Sequence, residues 1–107
     1  MNEMLGWILF GLVLGGAALA LAYTVSEVIR RTNIGSIIKN ALRNAQNEVA
    51  KKMLGGTIKA KIKSKGINVV SVDAIDEVTG EVIELNITSE TGVDDSIHTA
   101  DVYQICA

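Results

Sequence analysis

From Met4 to Ser26 the chain reads MLGWILFGLVLGGAALALAYTVS, with no charge between Glu3 and Glu27 and no proline. At 1.5 Å per residue such a run crosses a hydrocarbon core of roughly 30 Å as one helix. The hydropathy therefore predicts a transmembrane helix over residues 1–26. Ala20-Leu21-Ala22 also has the small-x-small form of a signal-peptide cleavage site. Met1-Asn2-Glu3 lacks the positive charge that opens a secretory signal, so the expectation is a retained helix.

Inside that span, Gly11 and Gly15 form GxxxG, and Ala18 and Ala22 continue the stripe at helical spacing. Small residues in such a row let two helix backbones approach closely in lipid, which predicts a self-associating face. Trp7 and Tyr23 stand near opposite ends of the run, where amphipathic rings favour membrane interfaces. Arg30 and Arg31 follow closely, with Lys39 and Arg43 beyond. Positive charge after the span and none before it predicts an N-terminus outside and a cytoplasmic C-terminal domain.

Residues 27–56 read as an amphipathic juxtamembrane helix. Ile34, Ile37, Ile38, Ala41, Leu42, Ala45, Val49 and Met53 recur at three- and four-residue steps, and Gly55-Gly56 supplies a stop. Poor helix formers at Thr32 to Gly35 leave open whether the helix is continuous with the span. Thr24 with Glu27 fits a capping box that would restart it. Asn33, Asn40 and Asn47 recur every seven residues, a spacing that suits either a solvated edge or a register device.

Past Gly56 the period changes to two. In residues 57–65, Ile58, Ala60 and Ile62 alternate with Lys59, Lys61 and Lys63, giving one apolar and one basic face. Residues 67–75 form a β-branched run, and residues 81–89 alternate Ile83, Leu85 and Ile87 with polar neighbours. Asp101 to Cys106 suits a fourth strand. The predicted fold class is thus α+β: a long N-terminal helix, half transmembrane and half amphipathic, followed by a small antiparallel β-sheet of three or four strands. That sheet, residues 57–107, would pack on the amphipathic helix to bury its apolar face.

Charge divides the chain sharply. Residues 1–65 hold all ten Lys and Arg against three acids, whereas residues 66–107 hold nine acids and no base. Such a split favours complementary contacts, with lipid headgroups, a neighbour, or the chain's own other half. The Lys59, Lys61, Lys63 face lacks the interleaved aromatics of a nucleic-acid surface and lies beside acidic strands, so nucleic acid is not an expected partner.

Little in the chain points to chemistry. Cys106 and His98 are single residues of their kinds, with no recognisable orienting group. Asp94 and Asp95, or Asp73, Asp76 and Glu77, lack the spacing of a calcium loop, and no phosphate-binding or zinc-hydrolase motif is present. Asn86-Ile87-Thr88 meets the glycosylation sequon within a strand. No cofactor, metal or small-molecule substrate is expected, and the chain does not read as an enzyme.

The expected function is a small single-pass, membrane-anchored structural or assembly subunit that forms a homo-oligomer or joins a membrane protein complex. A hydrophobic N-terminal helix running into an amphipathic half and an antiparallel sheet resembles, in outline, the architecture of type IV pilins and pseudopilins. That resemblance implies an extracytoplasmic filament subunit, although Trp7 to Val25 contains no acid where a pilin carries its glutamate. A small adaptor of a membrane enzyme or transporter is the third reading.

Overall fold

A computed structural model describes residues 19–106. The first element corrects the reading of the apolar run. Leu19–Val25 is a strand, β1, lying parallel to a later strand, Val82–Ser89, with Leu19 opposite Ile83 and Val25 opposite Ser89. The expected helix over residues 1–26 therefore does not run through its C-terminal third. The physical cause is an alternation of size. Leu19, Leu21 and Tyr23 turn toward the core while Ala20, Ala22 and Thr24 face outward, and Tyr23-Thr24-Val25 favours extended backbone.

Three expectations fall with that helix. No helix among the described residues is long and apolar enough to cross a membrane, so the single-pass assignment and the orientation derived from it lose their basis. The pilin-like outline, which needs one helical rod entering the amphipathic half, is interrupted by a strand. The Thr24–Glu27 capping box is replaced by the end of β1. Trp7, Gly11, Gly15 and Ala18 lie outside the described residues.

The amphipathic stretch is two short helices rather than one long one. The first, α1 (Ile34–Ala45), buries Ile34, Ile37, Ile38, Ala41 and Leu42. It ends at Gln46, whose φ of 51° is left-handed and turns the chain. Asn47 then caps α2 (Glu48–Leu54), its Oδ1 accepting from Val49 N at 2.8 Å and Ala50 N at 3.3 Å. The sevenfold asparagine spacing thus resolves into local work. Asn33 closes a turn, accepting from Arg30 N and donating to Val28 O, and Asn40 accepts from Arg43 on the exposed side of α1.

Strands β2 (Thr57–Lys65), β3 (Val69–Asp76), β4 (Val82–Ser89) and β5 (Val102–Cys106) follow. Short hairpins join β2 to β3 and β3 to β4; Gly80, at φ +81°, supplies the left-handed residue of the second. Instead of extending a meander beyond β4, β5 crosses the sheet end and pairs antiparallel with β2. The spatial order is β1-β4-β3-β2-β5, a five-stranded mixed sheet.

Because β1 and β2 run in the same direction with β4 and β3 between them, the chain must cross one face of the sheet to connect them. The two helices make that crossing. Helix α1 touches both edge strands, β1 and β5, and α2 rests on β2. Beneath them Ile58, Ile62, Val70, Val72, Ile83, Leu85 and Ile87 are wholly buried with Ile34, Ile38, Leu42 and Met53. Full burial of an aliphatic side chain of this size contributes about 1.5–3 kcal/mol before entropic costs.

The segment between β4 and β5 is tied to the loop after β1. Ile29 N donates to Gly92 O at 3.0 Å, Asp94 N donates to Ile29 O at 2.8 Å, and Ser89 Oγ donates to Glu27 O at 2.6 Å. Ile29 and Ile97 are both fully buried there.

Candidate functional site

The face of the sheet opposite the helices is polar, and its charges are arranged by register. Lys61 on β2 lies opposite Asp73 on β3, which lies opposite Glu84 on β4, which lies opposite Ala20 on β1. Between Ile62 and Ser64 the β2 ladder slips by one residue. Lys63, at that irregularity, places Nζ 3.3 Å from Glu84 Oε1 and 3.8 Å from Asp73 Oδ1. The Ser71 hydroxyl has Asn86 Oδ1 at 3.1 Å and Glu84 Oε2 at 3.4 Å as alternative acceptors. Past that slip Lys65 pairs with the buried Val70, so it belongs to the other face, where it lies 3.9 Å from Asp95.

The two oppositely charged halves of the sequence therefore meet within one sheet. Of the basic residues singled out above, Lys63 is engaged by acids of β3 and β4, whereas Lys59 and Lys61 stand exposed beside β5. Exposed pairs of this kind contribute little stability each, but they lower the field that the face presents to a distant partner.

The other residues singled out from sequence are scattered. Ala22 is exposed on β1, and Tyr23 is half-buried against the core beneath the helices. Arg30 and Arg31 are exposed in the loop after β1, with Arg31 N donating to Ser96 Oγ at 3.1 Å. The structure does not assemble these positions into one site.

His98 and Cys106 are not brought together either. Cys106 is exposed at the far end of β5, about 13 Å of extended chain beyond the strand's start. His98 belongs to a cluster at that start. Asp101 Oδ2 accepts from His98 N at 2.9 Å and from the Tyr103 hydroxyl at 2.8 Å, with His98 Nδ1 at 3.6 Å. The His98 backbone N–H, with help from the Tyr103 hydroxyl, holds the Asp101 carboxyl below its usual range. Burial, reinforced by the Asp101 carboxylate, pushes the Tyr103 phenol up to about 12. The two hydrogen bonds to Asp101 fasten the start of β5.

Asp76 is nearly buried, and its Oδ1 accepts from Val78 N at 2.8 Å and Thr79 N at 3.3 Å. The Val78 bond is the chief reason its carboxyl lies below the usual value. Beside it Lys52, Gly55, Gly56 and Thr79 line an open depression of about 270 Å³. The carboxylate is committed to its own turn, which leaves the depression few groups to hold a ligand. Among the described residues no group of three or more His, Cys, Asp and Glu is placed to hold a metal ion.

The sheet edges remain. Among the described residues, β1 and β5 each have a strand on one side only. The β1 edge has seven residues, LALAYTV, without charge or proline, in continuous register with β4. Unprotected edges of this composition are pairing sites for further strands. Hydropathy conceals this element because leucine and alanine both score as apolar. Alternation of large and small side chains at period two is the signal that reveals it.

No protein-family model, no curated protein and no solved structure matches this chain.

Proposed function

We propose that this protein is a non-enzymatic assembly subunit, a small sheet-and-helix block that associates with copies of itself or with a larger complex through its sheet. The observation that supports the reading is the β1 edge: a seven-residue, uncharged strand with no strand against its outer side among the described residues. Natural sheets ordinarily blunt such an edge with lysine, proline or a bulge. The open face argues in the same direction where Lys63 already has acidic neighbours within the chain. Backbone pairing then offers more binding than long-range charge.

Sedimentation velocity of the full chain over a wide concentration range tests this reading. The expected result is a mass that rises above one chain with concentration and changes little with added salt. A single monomeric species at every concentration, together with no stable companion in native pull-downs, would overturn it.

A further inference from the structure

We infer that β1 is the seam at which two copies of this chain join, pairing antiparallel about a two-fold axis through Ala22 so that two sheets continue as one. This names the contact for the assembly role proposed above and rests on that reading.

The first observation is a contrast in burial between neighbouring strands. Ile83, Leu85 and Ile87 on β4 are fully buried, whereas Leu19, Leu21 and Tyr23, their register partners on β1, lie on the same face and remain partly exposed. β4 has a strand on both sides; β1, among the described residues, has one. A further strand beside β1 would complete the apolar row.

The second observation selects the occupant. β1 offers no charge with which to choose a charged peptide, but its sequence complements itself. With Ala22 opposite Ala22 of the second copy, Ala20 falls opposite Thr24 on the open face, where small side chains let the strands lie flat. On the helix side Leu21 falls opposite Tyr23, and Leu19 opposite Val25, aliphatic and aromatic pairs of the kind that hold sheets together. A two-fold axis perpendicular to the sheet keeps both helical layers on the same side, so the two cores become continuous.

The third observation excludes the other edge. β5 has only five residues, and Lys39 from α1 donates to its terminal carbonyl, Cys106 O, at 3.3 Å. A short strand with a lysine at its rim is a protected edge. Pairing β1 to β1 closes as a dimer, whereas a β1 to β5 contact would be head-to-tail and build a ring or an open filament.

The test uses the full chain carrying Cys106→Ser, with Ala22→Cys or Thr24→Cys added, exposed to a mild copper–phenanthroline oxidant. Ala22→Cys is expected to give a covalent dimer, because directly opposed residues lie within disulfide reach. Thr24→Cys is expected to stay uncrosslinked, since its two copies would stand about 13 Å apart along the seam. In parallel, Ala22→Lys, which sets two like charges face to face, should weaken association by about tenfold or more while leaving the far-UV circular dichroism melt unchanged at concentrations where both chains are monomeric. A chain that still associates, yet neither crosslinks at residue 22 nor responds to Ala22→Lys, would overturn the β1 seam and leave the assembly role standing. A chain that is monomeric throughout, or whose edge is captured by another part of the same chain, would overturn the seam; a monomeric chain that also has no stable companion in native pull-downs would overturn the assembly role as well.

Discussion

The two edges of this sheet are built from similarly uncharged residues and are treated differently by the fold. β5 is short, begins at the Asp101–Tyr103 hydrogen bond, ends under Lys39, and buries Ile105 beneath α1. A Cβ on Gly35 of α1 would sit only 3.9 Å from Ile105 Cγ1, so the helix lies directly over that residue. β1 is longer, is tied down at its C-terminal end, where Val25 is buried and its carbonyl accepts from Glu90 N, and leaves Leu19, Leu21 and Tyr23 partly exposed. Composition alone does not make an edge adhesive; what the neighbouring elements do to its rim decides it.

The largest effect that can break this comparison is in the apolar contacts. Ile105→Ala should cost about 2–4 kcal/mol in urea unfolding, because a nearly buried aliphatic side chain leaves a cavity. Leu21→Ala, half-exposed at the other edge, should cost about 1 kcal/mol at concentrations where the chain is monomeric. Equal losses would mean that the two edges are covered alike.

A smaller effect concerns pH. Tyr103 keeps its proton longer in the folded state than in the unfolded one, its phenol being raised from 10.0 to about 12. The associated stability is complete below pH 10 and is lost as pH rises through about 12. Thermal melts should therefore show a steeper alkaline decline for the parent chain than for Tyr103→Phe. Identical profiles would remove Tyr103 from the fastening of β5.

The smallest effect is at the rim itself. Lys39→Ala should change stability by less than about 0.5 kcal/mol, as exposed substitutions usually do, yet free the Cys106 carbonyl for pairing. Larger species than the parent chain forms, seen by light scattering, are the expected outcome. No change in assembly would show that the length of β5, rather than its lysine, protects it.

The strands β2 and β4 are legible because each alternates polar with apolar residues, and β3 because it is rich in β-branched residues: on β2, Lys59, Lys61 and Lys63 mark one face as plainly as Ile58 and Ile62 mark the other. The apolar stripe of the helices was equally legible, from Ile34 through Met53. The break between them was written in Asn47-Glu48, a cap and an acidic first-turn residue, but the surrounding three- and four-residue rhythm continues across it and hides the turn. β1 is hidden for a different reason. Its alternation is one of volume within an apolar run, and a hydropathy window averages volume away. The place of β5 beside β2 depends on non-local contacts, such as Ile62 N to Asp101 O at 2.9 Å, that no local pattern encodes. Nor could the seam be read before β1 was known to be a strand, since edges exist only once a sheet does.

The most direct test is nuclear magnetic resonance of residues 19–25 in the full chain. Extended-type carbon shifts over Leu19–Val25 and cross-strand contacts between Leu21 and Leu85, and between Ala22 and Asn86, are the expected result. Helical shifts over these residues, with no contact to β4, would contradict the account.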